Sequence, residues 1–330
     1  MRQLKGIHHV SAITSSAEKI YSFFTDVLGL RLVKKTINQD DINTYHLFFA
    51  DDIGSPGTDM TFFDFQGIQK GVKGTDEIAR VGFRVKDDLA IDYWIKRFKH
   101  YNIDFEDKGK IFDRRMLFFK DFDNQEYAIV SDEAINGVKP GSPWKNSPIP
   151  LEFSIRGLGP IFIRVKDKQK LTDVLIDNLN LKKVKDKANL TLFTMGEGGN
   201  GGSIIRDYQP ELNQAIQGYG SIHHLAFRIE NKNELYQWIE KLNKISARHS
   251  GLVDRFYFKS LYTRLYPNLL FEFATEGPGF LSDEETYETL GETLALPPKF
   301  KQKRKYIESI VRHIDTVRSK KVYKKEYLNE

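Results

Sequence analysis

The sequence predicts an α+β fold: four βαβββ modules forming two cupped mixed β-sheets with the helices outside. Three observations lead to it. A strand-like opening recurs four times along the 330 residues. Each opening is followed by a segment with apolar residues at helical spacing. Each such segment is followed by shorter apolar or alternating runs separated by turn residues, the pattern of further strands.

Module 1 opens with GIHHVSAIT, has its helix over residues 17–28 and closes with MTFFDF at 60–65. Ile20, Phe23, Phe24 and Val27 mark the buried stripe of that helix. Module 2 opens with ARVGFRVKD from Ala79, places its helix over 89–101 and closes with QEYAIV at 125–130. Module 3 opens with GPIFIRVKD from Gly159, has its helix over 168–179 and closes with GSIIRDY at 202–208. Module 4 opens with SIHHLAFRIEN from Ser221, has its helix over 232–242 and closes with LLFEFAT at 269–275. Modules 2 and 4 are visibly related, GFRVKDDLAIDYWIKRF against AFRIENKNELYQWIEKL. One module cannot bury both its helix face and its sheet face alone, so modules are expected to pair.

The segment NGVKPGSPWKNSPIP, with four prolines and two glycines, resists regular structure and reads as a linker. It divides the chain into residues 1–135 (modules 1 and 2), a linker at 136–156, residues 157–278 (modules 3 and 4), and a helical C-terminal tail at 279–330. Helices are expected in the tail at 282–290 and 300–317, the second with an apolar stripe of Ile307, Ile310, Val311 and Ile314. GEGGNGG at 196–202 lacks the GK[ST] ending of a phosphate loop and reads as a hairpin loop.

Composition narrows the chemistry. With no cysteine, disulfides and thiolate metal sites are excluded, and any metal must take N and O ligands. The net charge of +5 is concentrated in residues 301–325, with ten Lys/Arg against two acids. That run reads as a solvated helix face; no aromatic platform interleaves it, so no nucleic-acid partner is expected. No stretch approaches the ~20 apolar residues of a membrane helix. MRQLKGIHHV lacks the apolar core of a secretory signal, and a cytoplasmic protein is expected.

When the module openings are aligned, His9 and His224 fall at the same place, where modules 2 and 3 carry Arg80 and Pro160. A lone strand histidine reads as an ordinary hydrogen-bonded residue. Two His-His pairs at one repeat position point instead to a shared ion. Side chains alternate along a strand, so one histidine of each pair faces the cup, and His8 and His223 should point away or stand behind the ligands. Glu272, between Phe271 and Phe273, is expected to face the same cup, where a bare charge is costly unless it meets a metal. Phe63-Asp64-Phe65 gives module 1 a carboxylate in register with it. Two histidines and one carboxylate form the open-sided triad of non-haem iron oxygenases, and a fourth ligand would close a position, so Asp64 decides between reaction classes. If His9 and His224 share one ion, modules 1 and 4 must form one cup and modules 2 and 3 a second without metal.

GIHHVSA, YHLFFADDIGSPGTDMTFF, SIHHLAF and LLFEFATEGPGF together make the chain resemble the vicinal oxygen chelate superfamily, which includes glyoxalase I and extradiol dioxygenases. It is most similar to the bacterial ring-cleaving hydroquinone dioxygenases, from Leu4 to about Glu284. The resemblance implies His9, His224 and Glu272 as ligands of Fe(II), with Mn(II) as the alternative, and O₂ as co-substrate. It further implies His8 as a histidine near the substrate, and Arg255 and Tyr262 as an active-site arginine and tyrosine. Two departures stand out: Ser11, where the chlorohydroquinone enzymes have threonine, and Asp64, where they lack an acid. The implied function is cleavage of hydroquinone-type aromatics. The alternatives are a glyoxalase-like isomerase or lyase using Asp64 as a fourth ligand, and a non-catalytic protein that binds aromatic compounds. The expected partners are a small aromatic substrate and, in a homo-oligomer, other copies of the chain.

Overall fold

The computed structural model describes residues 3–328. Module 1 comprises β1 (Gly6–Ile13), α1 (Ala17–Ser22), β2 (Arg31–Ile37), β3 (Tyr45–Ala50) and β4 (Asp59–Phe63). Module 2 comprises β5 (Glu77–Val85), α2 (Asp88–His100), β6 (Phe105–Ile111), β7 (Arg114–Lys120) and β8 (Glu126–Ser131). Module 3 comprises β9 (Leu158–Val165), α3 (Lys168–Asp173), β10 (Lys182–Lys187), β11 (Leu190–Thr194) and β12 (Ser203–Tyr208). Module 4 comprises β13 (Ser221–Ile229), α4 (Lys232–Lys244), β14 (Val253–Asp254), β15 (Lys259–Tyr266) and β16 (Leu269–Thr275). One further helix, α5 (Arg304–Ile310), lies in the tail.

Each module is the expected βαβββ unit. Its first strand pairs in parallel with its last, and the remaining strands extend the sheet antiparallel. The helices start where short polar side chains accept hydrogen bonds from free backbone N–H groups: Ser16 from Lys19, Asp87 from Ala90, Asp167 from Lys170, Asn231 from Asn233 and Glu234.

Two curled eight-stranded mixed sheets result. One has the order β14-β15-β16-β13-β1-β4-β3-β2, the other β10-β11-β12-β9-β5-β8-β7-β6. Modules 1 and 4 thus share one sheet and modules 2 and 3 the other, as the histidine argument requires. The joins are antiparallel pairs of first strands, β1 with β13 and β5 with β9.

The helices pack on the convex faces in one continuous core. Phe24 touches Phe49 and Phe62 of the first sheet and Phe83 and Tyr127 of the second, with ring centroids 4.8 to 6.0 Å apart. Separate apolar clusters fill the concave faces. Val33, Phe48, Phe258 and Phe280 belong to the first cup, and Met116, Val130, Phe162 and Ile205 to the second.

The tail differs from the helical one expected. Residues 282–290 form turns, because Asp283 and Glu285 both bond the buried Lys34 ammonium, at 2.8 and 2.5 Å. Residues two apart do not share a helix face, so this double contact requires a non-helical backbone. Helix α5 stops at Ile310 and the chain turns extended. Arg312 then reaches Glu18 and Asp64, and Ile314 enters the core. Among the described residues, no helix is long and apolar enough to cross a membrane.

Phe24→Ala is expected to destabilise the protein by about 3–5 kcal/mol, since it empties a fully buried aromatic site wedged between both sheets. Denaturant unfolding measures this, and a loss under 1 kcal/mol would show that the two sheets do not share that core.

Candidate metal centre

The site is built at the β1–β13 join. Ile7 lies opposite Phe227 and His9 opposite Ala226, which leaves His8 as an extra residue in the ladder. Towards the other end Ser11 lies opposite His224 and Ala12 opposite Ile222, which leaves His223 as an extra residue on the partner strand. An inserted residue bends its strand and re-aims side chains. Neither His8 nor His223 therefore turns away as simple alternation would have it. His8 Nδ1 lies 2.9 Å from His9 Nδ1, and His223 Nδ1 lies 2.8 Å from His224 Nδ1.

These contacts fix a tautomer. His8 Nε2 is 3.1 Å from the Thr275 carbonyl, which can only accept, so Nε2 carries the proton. Burial pushes the His8 pKa down to about 3, which keeps its Nδ1 an acceptor. His9 Nδ1–H must then donate to it, and the lone pair of His9 Nε2 is left facing the cup.

Glu272 comes from β16, where it lies beside Ala226 in the parallel pairing with β13. His9 Nε2 and His224 Nε2 are 3.1 Å apart, and Glu272 Oε2 lies 3.1 Å from the first and 2.9 Å from the second. Glu272 is wholly buried, and its Oε2 accepts no hydrogen bond. Ser260 Oγ holds the other oxygen at 2.5 Å. Lone-pair atoms this close repel one another unless a cation lies among them. A metal about 2.1 Å from each donor separates them by roughly 3.0 Å when they meet it at right angles, against roughly 3.4 Å when tetrahedral. The triangle matches three adjacent corners of an octahedron and could hold a metal ion. Burial pushes the His224 pKa below its ordinary value, which favours the ligating neutral form. Burial opposes the charge of Glu272, so a carboxylate there needs a positive charge beside it.

The donors open onto a cavity of about 300 Å³ walled by Phe48, Phe63, Phe65, Tyr257 and Phe258. Arg255 and Tyr262 line it too, and Arg255 Nε donates to the Tyr262 hydroxyl at 3.1 Å. Asp40 holds the Arg255 guanidinium at 2.8 Å. Burial raises the Tyr262 pKa, so the hydroxyl keeps its proton. His8 stands behind His9, outside the cavity lining, while His223 is part of it.

Asp64 is not a fourth donor. Its carboxylate accepts from the Tyr45 backbone N–H at 2.8 Å and from Arg312 at 2.9 Å. The Phe-acid-Phe similarity misplaces the register. Glu272 lies opposite Ala226, two residues after His224, and two residues after His9 comes Ser11, which lies opposite Thr61. The counterpart of Glu272 in module 1 is therefore Thr61. Sequence reasoning also passed over His46. A row of polar contacts runs from His46 Nε2 to Thr61 Oγ1 (2.9 Å), to Ser11 Oγ (2.7 Å) and to His224 Nε2 (3.0 Å).

His224→Ala and Glu272→Ala are each expected to abolish tight binding of a divalent metal ion, because two donors hold an ion poorly. His8→Phe leaves all three donors in place but removes the acceptor for His9 Nδ1–H, together with the Nε2–H bond to Thr275, and should weaken binding by about 10- to 100-fold. Competition with a chromogenic chelator measures all three, and wild-type affinity in His8→Phe would refute the tautomer assignment.

A family model described as Glyoxalase/Bleomycin resistance protein/Dioxygenase superfamily matches residues 6–129. The Bacillus subtilis protein named "Putative ring-cleaving dioxygenase MhqA" is 39% identical over 317 residues, covering 94% of this chain and 99% of its own. The chlorohydroquinone/hydroquinone 1,2-dioxygenase of Sphingobium indicum is 25% identical over 309 residues, covering 90% and 92%. A crystal structure named "putative dioxygenase" from Bacillus subtilis superposes with a TM-score of 0.88 at 29% identity, covering 96% of this chain and 99% of that one. Glyoxalase I of Zea mays, at 12% identity and a TM-score of 0.56 over 82% of this chain and 92% of its own, shares the fold. Near-full-length identity to MhqA and the match to the family model show that the chain belongs to the Glyoxalase/Bleomycin resistance protein/Dioxygenase superfamily.

Proposed function

We propose that this protein is an Fe(II)-dependent ring-cleaving dioxygenase of hydroquinone-type aromatics, with O₂ as co-substrate. The observation that carries the reading is the triangle of His9, His224 and Glu272, with edges of 2.9 to 3.1 Å, at the floor of an aromatic-walled cavity. The counterpart of Glu272 is the hydroxyl of Thr61 rather than a second acid, so a metal held by the three donors would keep positions open for reactants. The relatives' names support the same reaction class.

Bound there, Fe(II) supplies one-electron chemistry with O₂ and lowers the pKa of a phenolic hydroxyl. The chain's own residues do the remaining work. Phe48, Phe63 and Phe258 give the cavity apolar walls that suit an aromatic ring and keep water from it. Arg255 places a fixed positive charge at the cavity wall, which favours an ionised hydroxyl on the substrate. Tyr262 accepts from Arg255 and keeps its own proton, so it can donate to an oxygen that gains negative charge. His8 acts through His9, by fixing its tautomer. The isomerase reading requires Asp64 at the metal, and Asp64 is bound to Arg312 instead.

Anaerobic loading with Fe(II), followed by addition of hydroquinone and air, should give stoichiometric O₂ uptake in an oxygen electrode. Tyr262→Phe should bind Fe(II) normally and turn over about 10²-fold more slowly. Metal-loaded protein that consumes no O₂ with hydroquinone or methylhydroquinone would sink the assignment.

A further inference from the structure

Among the described residues, two buried polar atoms at the cavity, Thr36 Oγ1 and Gln39 Oε1, have no partner, and neither belongs to the donor triangle. Thr36 and His46 face each other across the β2–β3 pair. Thr36 is 2% exposed, yet its Oγ1 makes no hydrogen bond. His46 is clamped between Phe48 and Phe63, with ring centroids at 4.0 and 4.2 Å. Its Nε2 is taken by Thr61 Oγ1 at 2.9 Å, and among the described residues its Nδ1 has no protein partner. Gln39 donates from Nε2 to the Arg255 carbonyl at 2.7 Å, which turns its Oε1 away, buried and without a partner. All three residues line the cavity. Buried polar groups are nearly always paired, so two unpaired ones in one wall, with His46 Nδ1 beside them, imply a ligand group that completes them.

The chemistry of that group can be read from what is missing. Gln39 Oε1 can only accept a hydrogen bond, and the Thr36 hydroxyl can give one. His46 Nδ1 gives or accepts according to its tautomer. Burial pushes the His46 pKa well below its ordinary value, so the ring is a neutral partner rather than a cation. An anion is thus disfavoured beside Gln39 Oε1, and an ether or a quinone carbonyl has no proton to offer it. A hydroxyl satisfies the set, with one proton to give and two lone pairs to accept.

We propose that Thr36, Gln39 and His46 form a second polar subsite that grips the far hydroxyl of a para-dihydroxybenzene while the first hydroxyl lies at the donor triangle. The subsite rests on the ring-cleaving reading of the cavity. Thr36 lies on β2, His46 on β3 and Gln39 in the connection between them, three and two strands away from β1 in the sheet order, brought over the donors by the curl of the cup. It makes this wall the selector between hydroquinones and their O-methylated or singly hydroxylated analogues. A site that must receive a hydroxyl rejects the analogue without one, because its own buried groups are then left unpaired.

The test is anaerobic calorimetry of the Fe(II)-loaded full chain with hydroquinone, 4-methoxyphenol and phenol. Wild type should bind hydroquinone at least ~10-fold more tightly than 4-methoxyphenol. Thr36→Val and Gln39→Leu should each reduce that ratio below ~3-fold while leaving phenol affinity within ~3-fold of wild type, and Thr36→Ser should retain the preference. Unchanged iron content in each variant shows that the cup is intact. A wild-type ratio near one, or a ratio unchanged in both Thr36→Val and Gln39→Leu, overturns the subsite. The preference without any O₂ uptake would uphold the subsite and refute ring cleavage, and O₂ uptake without the preference would do the reverse.

Discussion

The antiparallel pairing of β1 with β13 is the constraint on which this molecule depends. It joins the first and last modules into one sheet and sets His9 and His224, 215 residues apart in sequence, 3.1 Å from each other. The parallel neighbour of β13 then supplies Glu272 at the third corner. The inserted residues that interrupt this same pairing turn His8 and His223 onto the rear nitrogens of the ligands. Register, ligand geometry and tautomer therefore come from one ladder. A slip of one residue would send every one of these side chains to the convex core.

The two cups show what that ladder can and cannot decide. In the second sheet Arg80 follows a similar inserted residue and lies opposite Phe162. It bonds Glu126 at 2.8 Å and stacks on Phe118 at 3.7 Å. Arg164 joins Glu126, Glu77 and Asp207 in the same network. Here Arg80 and Arg164 meet their opposite charges within the protein. In the first cup Glu272 meets two buried imidazoles, those of His9 and His224. The same fold thus encloses one internally neutralised concavity and one that calls for an added cation.

Much of this was legible in the sequence because a repeat reports itself. The four strand–helix openings gave the module count, and the placement of His9 and His224 required modules 1 and 4 to share a cup. What escaped detection depends on a partner strand. The inserted residues at His8 and His223 exist only relative to the opposing ladder. Asp64 looked equivalent to Glu272 because both sit between phenylalanines, yet ladder position assigns that place to Thr61. His46, alone in an apolar strand, reads as an ordinary core residue until Thr36 and Gln39 are seen beside it. In the tail, the apolar stripe was real, but side-chain docking of Asp283, Glu285 and Arg312 outweighed local helix preference.

The nesting of the modules also orders events during synthesis. The strands of the second sheet, from β5 to β12, are contiguous in the chain, at residues 77–208. The first sheet draws on both ends and closes around them. As the chain emerges from its N-terminus, one edge of β1 has no strand beside it until residues 221–229 have been made, and the donor set is complete only once Glu272 has followed. Completion of the donor set belongs to the last fifth of translation or later, and a chain that stops before that point carries a histidine-bearing sheet edge in place of the three-donor triangle.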